Sequence, residues 1–137
     1  MMTFRVVFDI CEQELPDAEA TRVFLDKQTL MIGPHGTRAH AFWFAPSGAD
    51  DVLRLDIDYD NARAALRWLP DGGHAVEQPP AEPIVVLESS DSPLVTIPAE
   101  LAVLSVETAH RAVIEYIATC QRPSLVRWAD HTASQEK

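Results

Sequence analysis

The stretch LSVETAHRAVIEYIATCQRPSLVRW, residues 104–128, decides the fold. It reads as one capped amphipathic helix, a firm stop and a short strand. Ser105 suits the N-cap, and Glu107 falls in the first turn, where the positive end of the helix dipole favours an acid. Val106, Ala109, Val113, Tyr116, Ile117 and Cys120 recur at helical spacing and form the apolar stripe of a helix that lies on a core. His110, Arg111 and Glu115 fall on the wetter side. Arg122 sits near the C-terminal end, where a cation is favoured. Pro123 cannot continue a helix, because it lacks an N–H and restricts the residue before it. Residues 124–128 then predict a strand ending at Trp128. A helix that must bury one stripe, followed at once by a strand, calls for a sheet to lie on.

That sheet is sought upstream. TFRVVFDI (residues 3–10) is β-branched and aromatic and predicts a strand. Pro16 and Asp17 mark a helix entry, with a helix expected over residues 18–27 and Ala20, Val23 and Phe24 facing the core. Residues 32–38, IGPHGTR, form a loop. AHAFWFA (39–45) predicts a strand closed by Pro46, Ser47 and Gly48. Residues 52–60 alternate cleanly, with Leu53, Leu55, Ile57 and Tyr59 on one face and Arg54, Asp56, Asp58 and Asp60 on the other. That is the pattern of a half-buried strand with a wet acidic face. ARAALRWL (62–69) suits a strand or a helix. The strand is preferred, because a short turn at Asp60 and Asn61 makes a hairpin and sets Arg63 and Arg67 against the acids. PDGGHAVEQPPAEP (70–83) is turn and polyproline material. IVVL (84–87) predicts one more strand. The fold class expected is α+β, a mostly antiparallel sheet of about five or six strands with two helices packed on one face. Residues 1–128 are expected to form a single domain and residues 129–137 a polar tail.

Composition bounds the function. The chain has 137 residues, 47% apolar and 23% charged, as an ordinary globular domain does. No apolar run nears the ~20 residues a membrane helix needs, and the N-terminus carries no secretory signal pattern, so a cytoplasmic address is expected. The net charge of −10 speaks against nucleic acid, whose phosphates call for clustered Lys and Arg. It suits plain solubility or docking onto a basic protein. The acids are uneven: no Lys or Arg occurs between Trp68 and His110, and Asp50, Asp51, Asp56, Asp58 and Asp60 cluster around Arg54 alone.

Chemical motifs are weak. Asp56, Asp58 and Asp60 open like a calcium loop, but the sixth position is Asn61 rather than Gly and the twelfth is Arg67 rather than Glu. Ile57 and Tyr59 between them favour a strand, so no metal is expected. Cys11 and Cys120 stand far apart, without zinc spacing, and are expected to be reduced and half-buried. The histidines lack metalloprotease spacing, Pro46-Ser47-Gly48 lacks the nucleophile-elbow frame, and the glycines fit no phosphate-cradling pattern. No catalytic residue and no cofactor is expected. Trp43 and Trp128 suit core anchors, whereas Trp68, beside a turn-rich segment, suits an interface anchor equally well.

The C-terminal half resembles the Imm1 family of bacterial immunity proteins. The resemblance begins at VTIPAELAVLSVETAHRAVIEYIATCQRPSLVRW (residues 95–128), where Ala109, Ala112, Val113, Glu115, Tyr116, Thr119, Arg122, Pro123, Val126 and Trp128 fall in the family's pattern. VLRLDIDYD and ARAALRWL match its middle portion more loosely. One departure is that Cys120-Gln121 stands where a glycine is expected in the helix stop. The resemblance implies a non-enzymatic α+β protein, encoded beside the toxin it neutralises, often a nucleic-acid deaminase or nuclease. Such a toxin is basic around its cleft, and an acidic surface would block it. The partner-binding residues expected are Asp50, Asp51, Asp56, Asp58 and Asp60, with Tyr59 and Trp68 as anchors, in a 1:1 complex of a monomeric chain. The rival reading is a small-molecule-binding or enzymatic α+β domain with its pocket against the sheet, and a third is a homodimeric scaffold.

Overall fold

A computed structural model of the chain describes residues 3–31 and 36–129. Two helices lie on one face of a seven-stranded antiparallel sheet, ordered β2-β1-β3-β4-β5-β6-β9. A two-stranded ribbon, β7-β8, packs on the opposite face. The expected α+β class holds, with more strands than the sequence pattern displays.

β1 (Phe4–Phe8) does not run on to Ile10. Asp9 takes a positive φ of 53°, and the chain turns back as β2 (Cys11–Leu15). β2 was hidden because four of its five residues are exposed on an edge and carry no alternation. α1 (Ala18–Gln28) starts where expected, with the Asp17 carboxylate accepting from the Ala20 N–H. Its buried face is rotated from the expected one. Phe24 is buried as read, but Thr21, Leu25 and Gln28 join it, while Val23 is exposed. Thr21 can go inside because its hydroxyl donates to the Asp17 carbonyl. Residues 32–35 of the expected loop lie outside the described residues.

β3 (Ala39–Pro46), β4 (Leu53–Asp58) and β5 (Arg63–Trp68) form the centre of the sheet, and the strand reading of residues 62–69 is correct. β4 and β5 are joined by a four-residue turn closed by Ala62 at φ 57°. The expected turn segment 70–83 contains a short strand, β6 (Gly73–Val76). β7 (Ile84–Val86) pairs with β8 (Val95–Ile97), a strand too short to show a period. α2 (Val106–Thr119) is capped by the Ser105 hydroxyl, which accepts from the Thr108 N–H. It stops at Cys120, which adopts the left-handed conformation usually reserved for glycine, at φ 61°. The last strand is β9 (Arg127–Ala129), not residues 124–128, because Ser124 and Leu125 are drawn onto the Glu115 carboxylate. Residues 130–137 of the expected tail lie outside the described residues.

The main core lies between the helices and one sheet face. Leu53, Leu55 and Ile57 of β4 meet Ala109, Ala112, Val113 and Tyr116 of α2. Phe8, Phe24, Phe42 and Phe44 form a run of ring contacts with centroids 5.4 to 6.4 Å apart. Tyr116 sits edge-on to both Phe4 and Trp68. Truncating one of these buried aromatics to alanine costs about 3–5 kcal/mol. A second, smaller core seals Ala39, Ala41 and Ala65 under Ile84, Val86 and Ile97 of the ribbon. The short alanines on that face give the ribbon room to approach.

Candidate functional site

The ribbon corrects the expectation of a wet acidic strand face. Asp56 is fully buried and Asp58 is 6% exposed. Alternation assigns each β4 residue to its correct side, but the polar side is covered.

Asp56 is the hinge of a charged network. Arg54 and Arg67 face each other directly across β4 and β5, an arrangement that is unfavourable for like charges. Asp56, opposite the small Ala65, reaches both guanidiniums. It accepts from Arg54 Nε at 3.0 and 3.1 Å and Nη2 at 2.8 Å, and from Arg67 Nη2 at 2.8 Å. Arg54 also donates to Glu88, just past β7, at 2.7 Å, and stacks on Trp43 with its guanidinium carbon 4.8 Å from the ring centroid. Burial works against the Arg54 charge, but Asp56 and Glu88 outweigh it and hold the pKa above its ordinary value. Two cations and two anions thus bind the sheet to the ribbon. Trp43 is half-buried against the second core, and Trp128 against the main one.

Asp58 shapes the β4-β5 turn. Its carboxylate accepts from the Asp60 N–H, the Asn61 N–H and the Asn61 amide. The oxygens that suggested a calcium loop are occupied by guanidiniums and by the turn itself. Asp60 projects outward from that turn and pairs with Arg38 at 2.9 Å. Tyr59 points to the helix side, where its phenol oxygen lies 2.9 Å from His110 Nε2. Burial pushes the phenol pKa up and the imidazole pKa down, the latter opposed by Asp26, so both groups are held neutral.

Asp50 and Asp51 are exposed on the β3-β4 loop, and Asp51 pairs with Arg5 at 2.9 Å. That loop lies at the opposite end of β4 from Asp60, so the five acids clustered in sequence divide into two surface groups and a buried pair. Trp68 is half-buried, edge-on to Tyr116 and Trp128. It acts as a core residue with a wet margin, and the main core accounts for its size. Cys11 and Cys120 are both exposed, not half-buried as expected: one lies on the sheet edge and the other at the helix stop.

Two further acids tie α2 down. Glu77 accepts from the Ser105 N–H and the Thr108 hydroxyl at the N-terminus of the helix. Glu115 accepts from the Ser124 N–H and hydroxyl and the Leu125 N–H beyond its C-terminus. Burial would raise both pKa values, but these bonds outweigh it and lower them. Glu115 was marked in the sequence by the family pattern, whereas Glu77, 28 residues before Ser105, carried no local signal.

No helix among the described residues is long and apolar enough to cross a membrane. Residues 29–130 match one protein-family model, described as Immunity protein Imm1. No curated protein matches the chain.

Proposed function

The chain belongs to the Imm1 immunity protein family, and from that premise we propose that it binds one cognate toxin domain and neutralises it by covering a basic active-site cleft. Membership of the family speaks for toxin neutralisation in general. The match over residues 29–130 is the observation that carries the reading. The net charge of −10 supports its finer part, because a surface of one sign draws a basic partner and speeds docking. The toxin class that fits is an enzyme acting on nucleic acid, a deaminase or a nuclease, whose substrate-binding cleft must be cationic. The chain itself performs no reaction. It acts in the cytoplasm as a monomer in a 1:1 complex.

Burial sorts the acids by role. Asp56 and Asp58 lie beneath the surface, one pairing with strand arginines and the other shaping the β4-β5 turn, whereas Asp50, Asp51 and Asp60 can meet a partner directly. Tyr59 and the wet margin of Trp68 lie beside those loops. The test is titration calorimetry of the chain against the inactivated toxin domain encoded beside it. Tight 1:1 binding is expected, weakened about tenfold or more by Asp50→Lys with Asp51→Lys, since mismatched charges at an interface are costly. Absence of binding by the unaltered chain defeats the reading. Unchanged affinity in the variant removes this loop from the interface.

A further inference from the structure

β2 ends the seven-stranded sheet, and no described strand pairs with its outer side. The two-residue turn at Asp9 and Ile10 makes Phe8 and Cys11 the hydrogen-bonded pair that closes the hairpin. Pairing then alternates, so Glu12 and Glu14 turn their backbone N–H and C=O groups away from β1. Such a row is a template for another strand unless something blunts it. Residues 11–14 contain no proline and no lysine, their register with β1 is unbroken by any bulge, and all four are exposed.

The two faces of this edge differ in chemistry. On the helix side, Gln13 lies in a groove with Phe8, Ala20, Val23 and Met31. Val23 and Met31 are exposed, as are their neighbours Ile10 at 70% and Leu30 at 83%. Val23 and Met31 thus give the groove an exposed apolar lining. On the other side stand the Glu12 and Glu14 carboxylates, opposite Val7 and Arg5. Arg5 is committed to Asp51 and to the Ala49 carbonyl, so neither glutamate has an ion pair among the described residues.

Charge selects the occupant. A second copy paired edge to edge, with faces matched, would put four carboxylates on one side, and like charges across strands repel. A strand whose apolar residues alternate with Lys or Arg satisfies both faces at once. We propose that the outer edge of β2 accepts, by strand addition, an extended segment of the toxin domain in which apolar and cationic residues alternate. This rests on the toxin-neutralising reading above and adds a second contact surface to the acidic loops.

The test uses the full chain and the inactivated toxin domain encoded beside it. Glu12→Pro removes one outward N–H at an edge position that tolerates proline, and Glu12→Gln removes only the charge. Circular dichroism checks that each variant folds, the double variant Glu12→Gln with Glu14→Gln included. Glu12→Gln with Glu14→Gln is expected to weaken binding about tenfold, and Glu12→Pro to weaken it about tenfold beyond Glu12→Gln alone. Amide exchange on the unaltered complex is expected to slow at Glu12 and Glu14. If the unaltered chain binds while all variants match it and these amides exchange as in the free chain, the proposal is overturned and the functional reading stands. If the unaltered chain binds no toxin, both are overturned. A free chain that is dimeric by light scattering and becomes monomeric on Glu12→Pro overturns the proposal in favour of self-pairing.

Discussion

Asp56 joins two strands through two guanidiniums. Among the described residues it is the one anion paired with both Arg54 and Arg67, and it lies beneath the ribbon where water cannot replace it. A buried ion pair adds little net stability against an apolar substitute, but a pair broken on one side leaves a charge stranded. Asp56→Ala is therefore expected to destabilise the fold by about 3–5 kcal/mol in urea unfolding. A loss below about 1 kcal/mol would mean that solvent reaches the guanidiniums. His40 and His110 give a second handle. Burial lowers both pKa values from the ordinary 6.5, against the raising influence of Asp9 and Asp26 respectively. As the pH falls below about 6.5, the unfolded chain takes up protons that the folded chain resists. Stability should therefore fall between pH 7.5 and 5.5, and the slope should shrink in His110→Gln. An equal slope in the variant assigns the effect elsewhere. The side of β4 that holds Asp56 was legible, because alternation fixes the face of every residue. Its burial was not, because a period of two says nothing about what covers a face. The covering strand, β7, is three residues long and lies 26 residues beyond Asp58.

At the scale of elements, the sequence is legible where an element carries its own punctuation. α2 has a capping serine, an acid in the first turn and a proline after the stop, and its start falls where those signals put it. β2, β6 and β8 lack such marks, since each is short and owes its existence to a neighbour that hydrogen-bonds it. The stop of α2 departs from the usual glycine, and its geometry explains how it functions. Cys120 takes φ 61° while its N–H donates to the Tyr116 carbonyl at 2.7 Å. A residue with a Cβ is strained there by about 1 kcal/mol, and its side chain is exposed. Cys120→Gly should thus raise stability by about 0.5–1 kcal/mol, or a few degrees in the thermal midpoint. A fall in the midpoint would show that the thiol packs against something in solution.

For the whole molecule, the decisive quantity is where the charge lies. The sequence placed five acids together, and the fold separates them: Asp56 and Asp58 serve the interior, Asp50 and Asp51 one end of the sheet, and Asp60 the other. Glu12, Glu14, Glu82, Asp91, Glu100 and Glu107 are exposed on other elements, so the net charge of −10 is spread around the molecule rather than gathered in one patch. A distributed field acts at long range, on the approach of a partner, more than on the contacts finally made. Screening shortens that range to about 10 Å at 0.1 M salt and about 3 Å at 1 M. The association rate with a basic toxin domain should therefore fall by about tenfold or more between 0.02 and 0.5 M salt, while the dissociation rate changes much less. Stopped-flow mixing at several ionic strengths measures both. A salt-independent association rate would mean that the negative charge serves solubility alone, and that recognition lies in the apolar groove beside β2.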